Sequence, residues 1–233
     1  MLAIIPARGG SKGLLRKNIK LFNGLPLISY SIKAALKSKL ITRVIVSTED
    51  KEIALIAKKC GVEVPFMRSK KLASDKAMVM DTYLNVVDWV SKKNSRPVES
   101  FVALLPTAPL RTPEDIDRAI KIFNSKNANS VISVVEAPVP ISWYRQITKK
   151  GLLKNLFPNF DALKNRQELK RAYVPNGAIY VFKTEVLRLK RQYYTSKTYP
   201  YIMPKERSAD IDDKFDFEWA RYMFKKNNKK AFK

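Results

Sequence analysis

Histidine is absent from this 233-residue chain, and cysteine occurs once, at Cys60. Those two gaps exclude Ser-His-Asp and Cys-His nucleophile systems, His-ligated zinc and any multi-cysteine metal centre. One thiol also cannot close an intramolecular disulfide. Glycine is scarce, at seven residues, and acids are outnumbered by bases, 21 against 45, for a formal net charge of +24. No stretch approaches the ~18 apolar residues of a membrane span. The opening Met1-Leu2-Ala3-Ile4-Ile5-Pro6 lacks the basic region and long apolar segment of an export signal, so a cytoplasmic setting is expected. The available chemistry is therefore that of Lys, Arg, Asp, Glu, hydroxyls, backbone amides or a hard metal ion.

Apolar residues at 45% and charged residues at 28% are ordinary globular values. The length suits one α/β domain, or one domain with a modest appendage. The excess charge points to anionic ligands. Dedicated nucleic-acid binding is the weaker reading. No helix-turn-helix, RNP or zinc pattern is present, and the bases are dispersed except in the tail 221–233, which has no acid.

Hydrophobic patterning alternates between strand and helix. Strands are predicted at 2–7, 43–48, 62–66, 101–105, 130–135 and 177–182. Helices are predicted at 27–38, 50–60, 76–93, from Pro113 onward, and at 214–225. This grammar predicts a doubly wound, mostly parallel sheet with ligands beyond the carboxyl ends of its strands. Loops 6–18, 66–76 and 105–112 then share one rim. Residues 137–175, rich in proline and carrying Trp143 and Tyr144, read as an insertion in the single domain 1–233. Its exposed apolar residues suit packing against a second subunit. Cys60 reads as core.

Three of the seven glycines fall in Arg8-Gly9-Gly10-Ser11-Lys12-Gly13, followed by Lys17-Asn18. Glycines let backbone N–H groups turn inward around an anion, and Arg8, Lys12 and Lys17 add full positive charge. The spacing matches neither a P-loop nor a dinucleotide fingerprint. A plain glycine turn with solvated cations is the alternative; phosphate binding accounts for more of the residues.

Acids are scarce, yet Asp210, Asp212, Asp213 and Asp216 fall within seven positions. In extended chain Asp210 and Asp212 share a face, where two carboxylates repel unless a cation lies between them. Mg²⁺, which favours carboxylates together with phosphate oxygens, suits that pair. Asp213 and Asp216 suit the positive start of the last helix. Asp75 reads as a cap for the helix after it or as a residue near the bound ligand, the cap being the preferred reading, and Arg111, beyond a strand end, as a pocket residue.

These motifs, in order, resemble the acylneuraminate cytidylyltransferase family, the CMP-sialic acid synthetases with their legionaminic- and pseudaminic-acid relatives. The matching stretches are Ile5-Pro6-Ala7-Arg8-Gly9-Gly10-Ser11-Lys12-Gly13 with Lys17-Asn18-Ile19, Val46-Ser47-Thr48 and Leu72-Ala73-Ser74-Asp75. They continue with Leu105-Pro106-Thr107-Ala108-Pro109-Leu110-Arg111-Thr112, Pro175-Asn176-Gly177-Ala178-Ile179-Tyr180 and Ser208-Ala209-Asp210-Ile211-Asp212.

The resemblance implies a nucleotide-diphospho-sugar transferase-like, Rossmann-like fold and a homodimer. It also implies transfer of CMP from CTP to the anomeric hydroxyl of a nine-carbon 2-keto acid sugar, with release of pyrophosphate. Arg8, Gly9, Gly10, Ser11, Lys12, Asn18 and Arg68 would bind the nucleotide; of the catalytic Lys17, Lys12 and Arg8, the two lysines would stabilise charge on its phosphates, and Arg8 with Asn18 would lie nearer the cytosine and the α-phosphate. Arg111 and Asn176 would face the sugar, Arg166 would reach the partner subunit's sugar carboxylate, and Asp210 and Asp212 would hold Mg²⁺. A Kdo-type cytidylyltransferase is the nearest alternative, disfavoured by Asn176-Gly177-Ala178-Ile179-Tyr180. The chain departs from the usual pattern at Leu105, Ala108, Val174 and Val79, where relatives often carry Gln, Ser, Arg and Ser. Leu105, Ala108 and Val174 lie near the sugar pocket in the family, so a less polar pocket is expected, suited to a deoxy, acetamido-bearing acid such as legionaminic acid; Val79 stands where the family's serine touches the base and bears on cytosine specificity.

Overall fold

The computed structural model describes residues 1–157 and 171–230. The chain opens with β1 (Leu2–Pro6), a loop and a 3₁₀ turn at Lys17–Ile19, then the short hairpin strands β2 (Leu21–Phe22) and β3 (Leu25–Pro26). There follow α1 (Leu27–Lys37), β4 (Arg43–Ser47), α2 (Lys51–Lys59), α3 (Lys70–Ala73), α4 (Val79–Asn94), β5 (Ser100–Ala103), α5 (Pro113–Ser125) and β6 (Ser130–Glu136). The remainder comprises β7 (Arg145–Ile147), β8 (Leu153–Asn155), β9 (Tyr173–Lys183), α6 (Thr184–Lys190), β10 (Thr198–Ile202) and α7 (Lys214–Lys230).

Local chemistry sets several boundaries. Asp50 accepts from the N–H groups of Glu52 and Ile53 and starts α2. Thr112 and Asp115 form a reciprocal capping box at α5, with Pro113 in the first turn. Asp213 accepts from Asp216 N, and Asp216 accepts from Asp212 N and Asp213 N, so these two acids anchor α7 as expected.

Six strands form the sheet in the order β10-β6-β9-β5-β1-β4. β1 runs parallel to both β4 and β5, and β6 parallel to β10, whereas β9 is antiparallel to both neighbours. The alternation of β1 sends Ala3 and Ile5 to one face and Leu2 and Ile4 to the other. The first pair joins a core with Ile28 and Ile32 of α1, Ile53 of α2 and Ile116 and Ile120 of α5. The second joins Tyr83, Val86, Val87 and Val90 of α4, with Phe101 and Phe182. Fully burying each such side chain contributes about 1.5–3 kcal/mol. In a third cluster α7 seats Phe217, Ala220 and Met223 on Phe22 and Leu27, which closes the carboxyl-terminal segment over the first loop.

The differences from the sequence reading have local causes. The strand expected at 62–66 is reduced to a bridge between Ile45 and Glu63 on the free edge of β4, where Pro65 has no N–H to extend the pairing. β10 was not anticipated; its Tyr-Pro-Tyr centre carries a proline, which an edge position tolerates. The helix expected from 76 starts at Val79 with Met78 as its cap residue, so Asp75 caps nothing. The chain leaves the sheet after β6, where Ala137 N donates to Ala172 O, and returns as β9. Between them the hairpin β7–β8 exposes Ile147, Leu152 and Leu153. Among the described residues, no helix is long and apolar enough to cross a membrane.

Candidate active site

β1 lies between β4 and β5, so the chain moves to opposite sides of it in succession and opens a crevice at its carboxyl end. The segments leaving β1, β4 and β5 all emerge there. A cavity of about 470 Å³ fills the crevice. Arg8, Ser11, Lys12, Gly13, Lys17 and Asn18 of the first loop line it, together with Arg68, Leu72–Ser74, Val79 and Thr82. Leu105, Pro106, Thr107 and Asp212 complete it.

The first loop is held from within. Asn18 is buried and its Nδ2 donates to Arg8 O at 2.9 Å, fixing the carbonyl behind the Arg8 side chain. Gly9 N donates to Glu49 Oε1 at 2.7 Å, so that amide is committed to the protein. Gly9 and Gly10 themselves do not line the cavity; Ser11, Lys12 and Gly13 do. At Gly13 a Cβ would stand 2.3 Å from Asp212 O, so the glycine is what lets the loop touch the acidic segment.

Arg68 is buried and donates to Glu49 Oε2 through Nη2 at 2.6 Å and Nε at 3.2 Å. Glu49 thereby ties the glycine loop to Arg68. The sequence reading did not single it out, although a carboxylate just past a strand end on the binding rim was the available signal. Arg8 Nη1 and Lys12 Nζ, both on the cavity lining, each lie 2.8 Å from an oxygen of Asp75. These two hydrogen-bonded cations, Lys12 first and then Arg8, hold the Asp75 carboxyl below the usual aspartate range.

Lys17 is nearly buried, 11% exposed at its side chain, and its Nζ donates to Ile211 O at 2.5 Å and to Asp212 Oδ1 at 3.1 Å. Ile211 N in turn donates to Thr107 O at 2.8 Å, pinning the acidic segment to the loop after β5. Asp212 is exposed, and Asp210 is largely buried with its Oδ1 unpartnered. Burial is the main influence raising the Asp210 carboxyl above the ordinary aspartate value; the nearby Asp212 charge adds to it, while Thr107, Lys17 and Arg111 oppose it. At Gly177, φ is +69° and a Cβ would stand 2.3 Å from Asp210 Oδ2. A buried, unpartnered carboxylate oxygen beside a second, exposed carboxylate suits a divalent cation that retains water or phosphate oxygens. Among the described residues no group of three or more His, Cys, Asp or Glu could hold a metal, so phosphate would have to supply further ligands.

Two expected sugar contacts are not brought to the cavity. Arg111 is buried; its guanidinium donates to Leu105 O, to Ala178 O at 2.8 Å and to Ser31 Oγ at 2.5 Å. Burial pushes it down to about 9, with Asp210 and then Asp115 opposing. Asn176 is also buried, accepting from Ser133 Oγ at 2.6 Å and donating to Ser208 Oγ at 2.9 Å. Both residues brace the walls from behind. Ala108 lies fully within the core, so of the two departures in the 105–112 loop only Leu105 faces the cavity. Arg166 lies outside the described residues.

A family model described as cytidylyltransferase matches residues 2–231. The chain is 36% identical over 225 residues to the CMP-N,N'-diacetyllegionaminic acid synthase of Legionella pneumophila, covering 94% of this chain and 93% of that protein. It is 33% identical over 230 residues to the N-acylneuraminate cytidylyltransferase of Escherichia coli O18:K1:H7, covering 98% of this chain and 53% of that protein. In fold it is similar to a CMP:2-keto-3-deoxy-manno-octonic acid synthetase solved in complex with CTP. The TM-score is 0.70 at 16% identity, with 97% of this chain and 98% of that chain covered.

Proposed function

The chain belongs to the cytidylyltransferase family, and from that premise we propose that it transfers CMP from CTP to the anomeric hydroxyl of a nine-carbon 2-keto acid sugar. One observation carries the reading of the site: Arg8, Lys12 and Lys17 converge with Asp212 on one cavity, with Asp210 behind it. That is an array built for a triphosphate.

The sugar oxygen attacks the α-phosphorus. The new bond is C–O–P, the bond from that phosphorus to the bridging oxygen breaks, and pyrophosphate leaves with the electron pair. Negative charge grows on the departing group, and fixed cations aimed at it lower the barrier without reorganising. Lys17 is best placed for this, because Ile211 O orients its ammonium at the cavity wall. Arg8 and Lys12 bind the outer phosphates, and Arg68 with Thr82 lines the part where the base would lie. Asp210 and Asp212 would hold Mg²⁺, which when bound supplies charge neutralisation on phosphate oxygens. The hydroxyl proton passes to solvent; no side chain is assigned as its base.

Leu105 favours the sugar's identity as a deoxy, acetamido-bearing acid of the legionaminic type. A hydroxyl facing leucine would lose its hydrogen bond at about 1–3 kcal/mol. The domain 1–233, with 137–175 as its dimerisation insertion, would act as a homodimer in the cytoplasm, where CTP is made. The exposed Trp143, Tyr144 and Ile147 supply apolar surface for that contact.

The test is pyrophosphate release from CTP and Mg²⁺ with a panel of sialic, legionaminic, pseudaminic and Kdo acids, with and without EDTA. Metal-dependent release with a nine-carbon acid supports the reading. Release with Kdo alone would move the activity to an eight-carbon acceptor, and no release with folded protein would refute it.

A further inference from the structure

We propose that Asp75 is an exchange anion: its carboxylate occupies Arg8 and Lys12 in the empty site and competes with phosphate for them, tuning both triphosphate capture and pyrophosphate release. The inference deepens the functional reading above and rests on it for the nature of the displacing anion.

The acids around this cavity differ in what holds them. Glu49 is bound by buried Arg68 and by a backbone amide. Asp50 caps α2 as well as pairing with Arg16. Both are built into the fold, and removing either would disturb backbone. Asp75 accepts no backbone N–H among the described residues; its partners are Arg8 Nη1 on Oδ1 and Lys12 Nζ on Oδ2. One carboxylate thus takes one cation per oxygen, and both cations line the cavity.

Position makes the contact an exchange device rather than a fixed brace. Asp75 follows Leu72-Ala73-Ser74, which line the same cavity as Arg8 and Lys12, so the ion pairs join two separate segments of its lining. The Asp75 side chain is 51% exposed and that of Lys12 77% exposed. Solvated pairs of this kind are weak and screened by salt. A polyphosphate carries several charges and more acceptor oxygens than one carboxylate, so it displaces Asp75 readily. When pyrophosphate leaves, the carboxylate returns to the same cations and opposes rebinding. An enzyme with an array of lysines and arginines otherwise risks holding its charged product too long, and an internal anion of modest strength limits that risk.

The carboxylate could instead orient Arg8 and Lys12 for phosphate. The two roles have opposite signs on removal. Competition predicts tighter anion binding without Asp75, and orientation predicts weaker binding.

The experiment measures binding of inorganic pyrophosphate and of CTP by titration calorimetry to the wild-type protein, Asp75→Asn and Asp75→Glu, at low and moderate salt. Loss of two exposed pairs predicts roughly two- to tenfold tighter binding of both ligands to Asp75→Asn. The gain should shrink as salt rises, and Asp75→Glu should stay near wild type. The pyrophosphate inhibition constant in turnover should fall in parallel. Equal or weaker pyrophosphate binding by a folded Asp75→Asn protein, or no pyrophosphate binding by either protein, overturns the exchange role. Tighter pyrophosphate binding with no CTP binding would uphold the exchange and sink the cytidylyltransferase reading, so the two fail separately.

Discussion

Gly177 and Asp210 are in contact through the space a side chain would fill: a Cβ on Gly177 would come 2.3 Å from one carboxylate oxygen. Backbone at φ +69° adds its own demand for glycine. The bare backbone of β9 is what allows an acid from the segment before α7 to lie buried at the edge of the cavity. Gly177→Ala should therefore destabilise the fold by about 1–3 kcal/mol and push Asp210 out of position. We expect a lower melting temperature and a loss of kcat; unchanged turnover would show that Asp210 is not needed where it lies.

Asp210→Asn separates stability from function. Burial raises the folded carboxyl above its unfolded value, so the native state binds the proton more tightly. Ionised Asp210 therefore weakens the fold above that raised value, and the penalty fades as pH falls towards the ordinary aspartate range. The amide variant should melt at or above the wild-type temperature at neutral pH while losing metal-dependent turnover. A variant with full metal-dependent activity would remove Asp210 from the metal site.

Lys17→Met should lower kcat by about 100-fold, the scale for losing one preorganised charge partner of the transition state. CTP affinity should fall less than kcat, because Arg8 and Lys12 remain. Steady-state kinetics at saturating sugar would check the split; a pure KM effect would assign Lys17 to binding alone.

Arg111→Met should act on folding, not on sugar affinity. Removing the guanidinium takes its donor from Ala178 O, while Leu105 O keeps Ser31 Oγ and Ala108 N as donors. Each unsatisfied buried group costs about 1–3 kcal/mol. Denaturant unfolding should show the loss, with sugar KM little changed in whatever enzyme folds. A selective rise in sugar KM at unchanged stability would return Arg111 to the pocket.

Arg207 and Asp115 provide a pH-dependent brace under β10. Asp115 is buried, which by itself raises its carboxyl. Hydrogen bonds from Arg207, Thr112 N and Tyr201 outweigh burial and leave it below the usual value. A lowered folded value means stability that is fully present above the unfolded aspartate value, about 3.9, and lost as pH falls through the folded one. Arg207→Met should cost about 3 kcal/mol at neutral pH by stranding a buried charge. The gap to wild type should narrow in acid, measured by urea unfolding across pH; a gap independent of pH would contradict the brace.

Much of this protein follows from local sequence. The apolar periodicity that placed α1, α2 and α5 is written in residues a few positions apart, and so are the caps at Asp50, Thr112 and Asp213. The absence of histidine confined the chemistry to cations, carboxylates and backbone before any fold was known. The clustering of Arg8, Lys12 and Lys17 with glycines, and of Asp210 with Asp212, marked both halves of the candidate site, because each half is contiguous in the chain. Only the tertiary structure brought Lys17 onto Asp212 across 195 positions and set Asp75 against Arg8 and Lys12 instead of a helix end. It also turned Arg111 and Asn176 inward and ran β9 antiparallel to its neighbours. Those outcomes depend on which buried polar group finds a partner, and partners distant in sequence become neighbours only when the sheet is assembled.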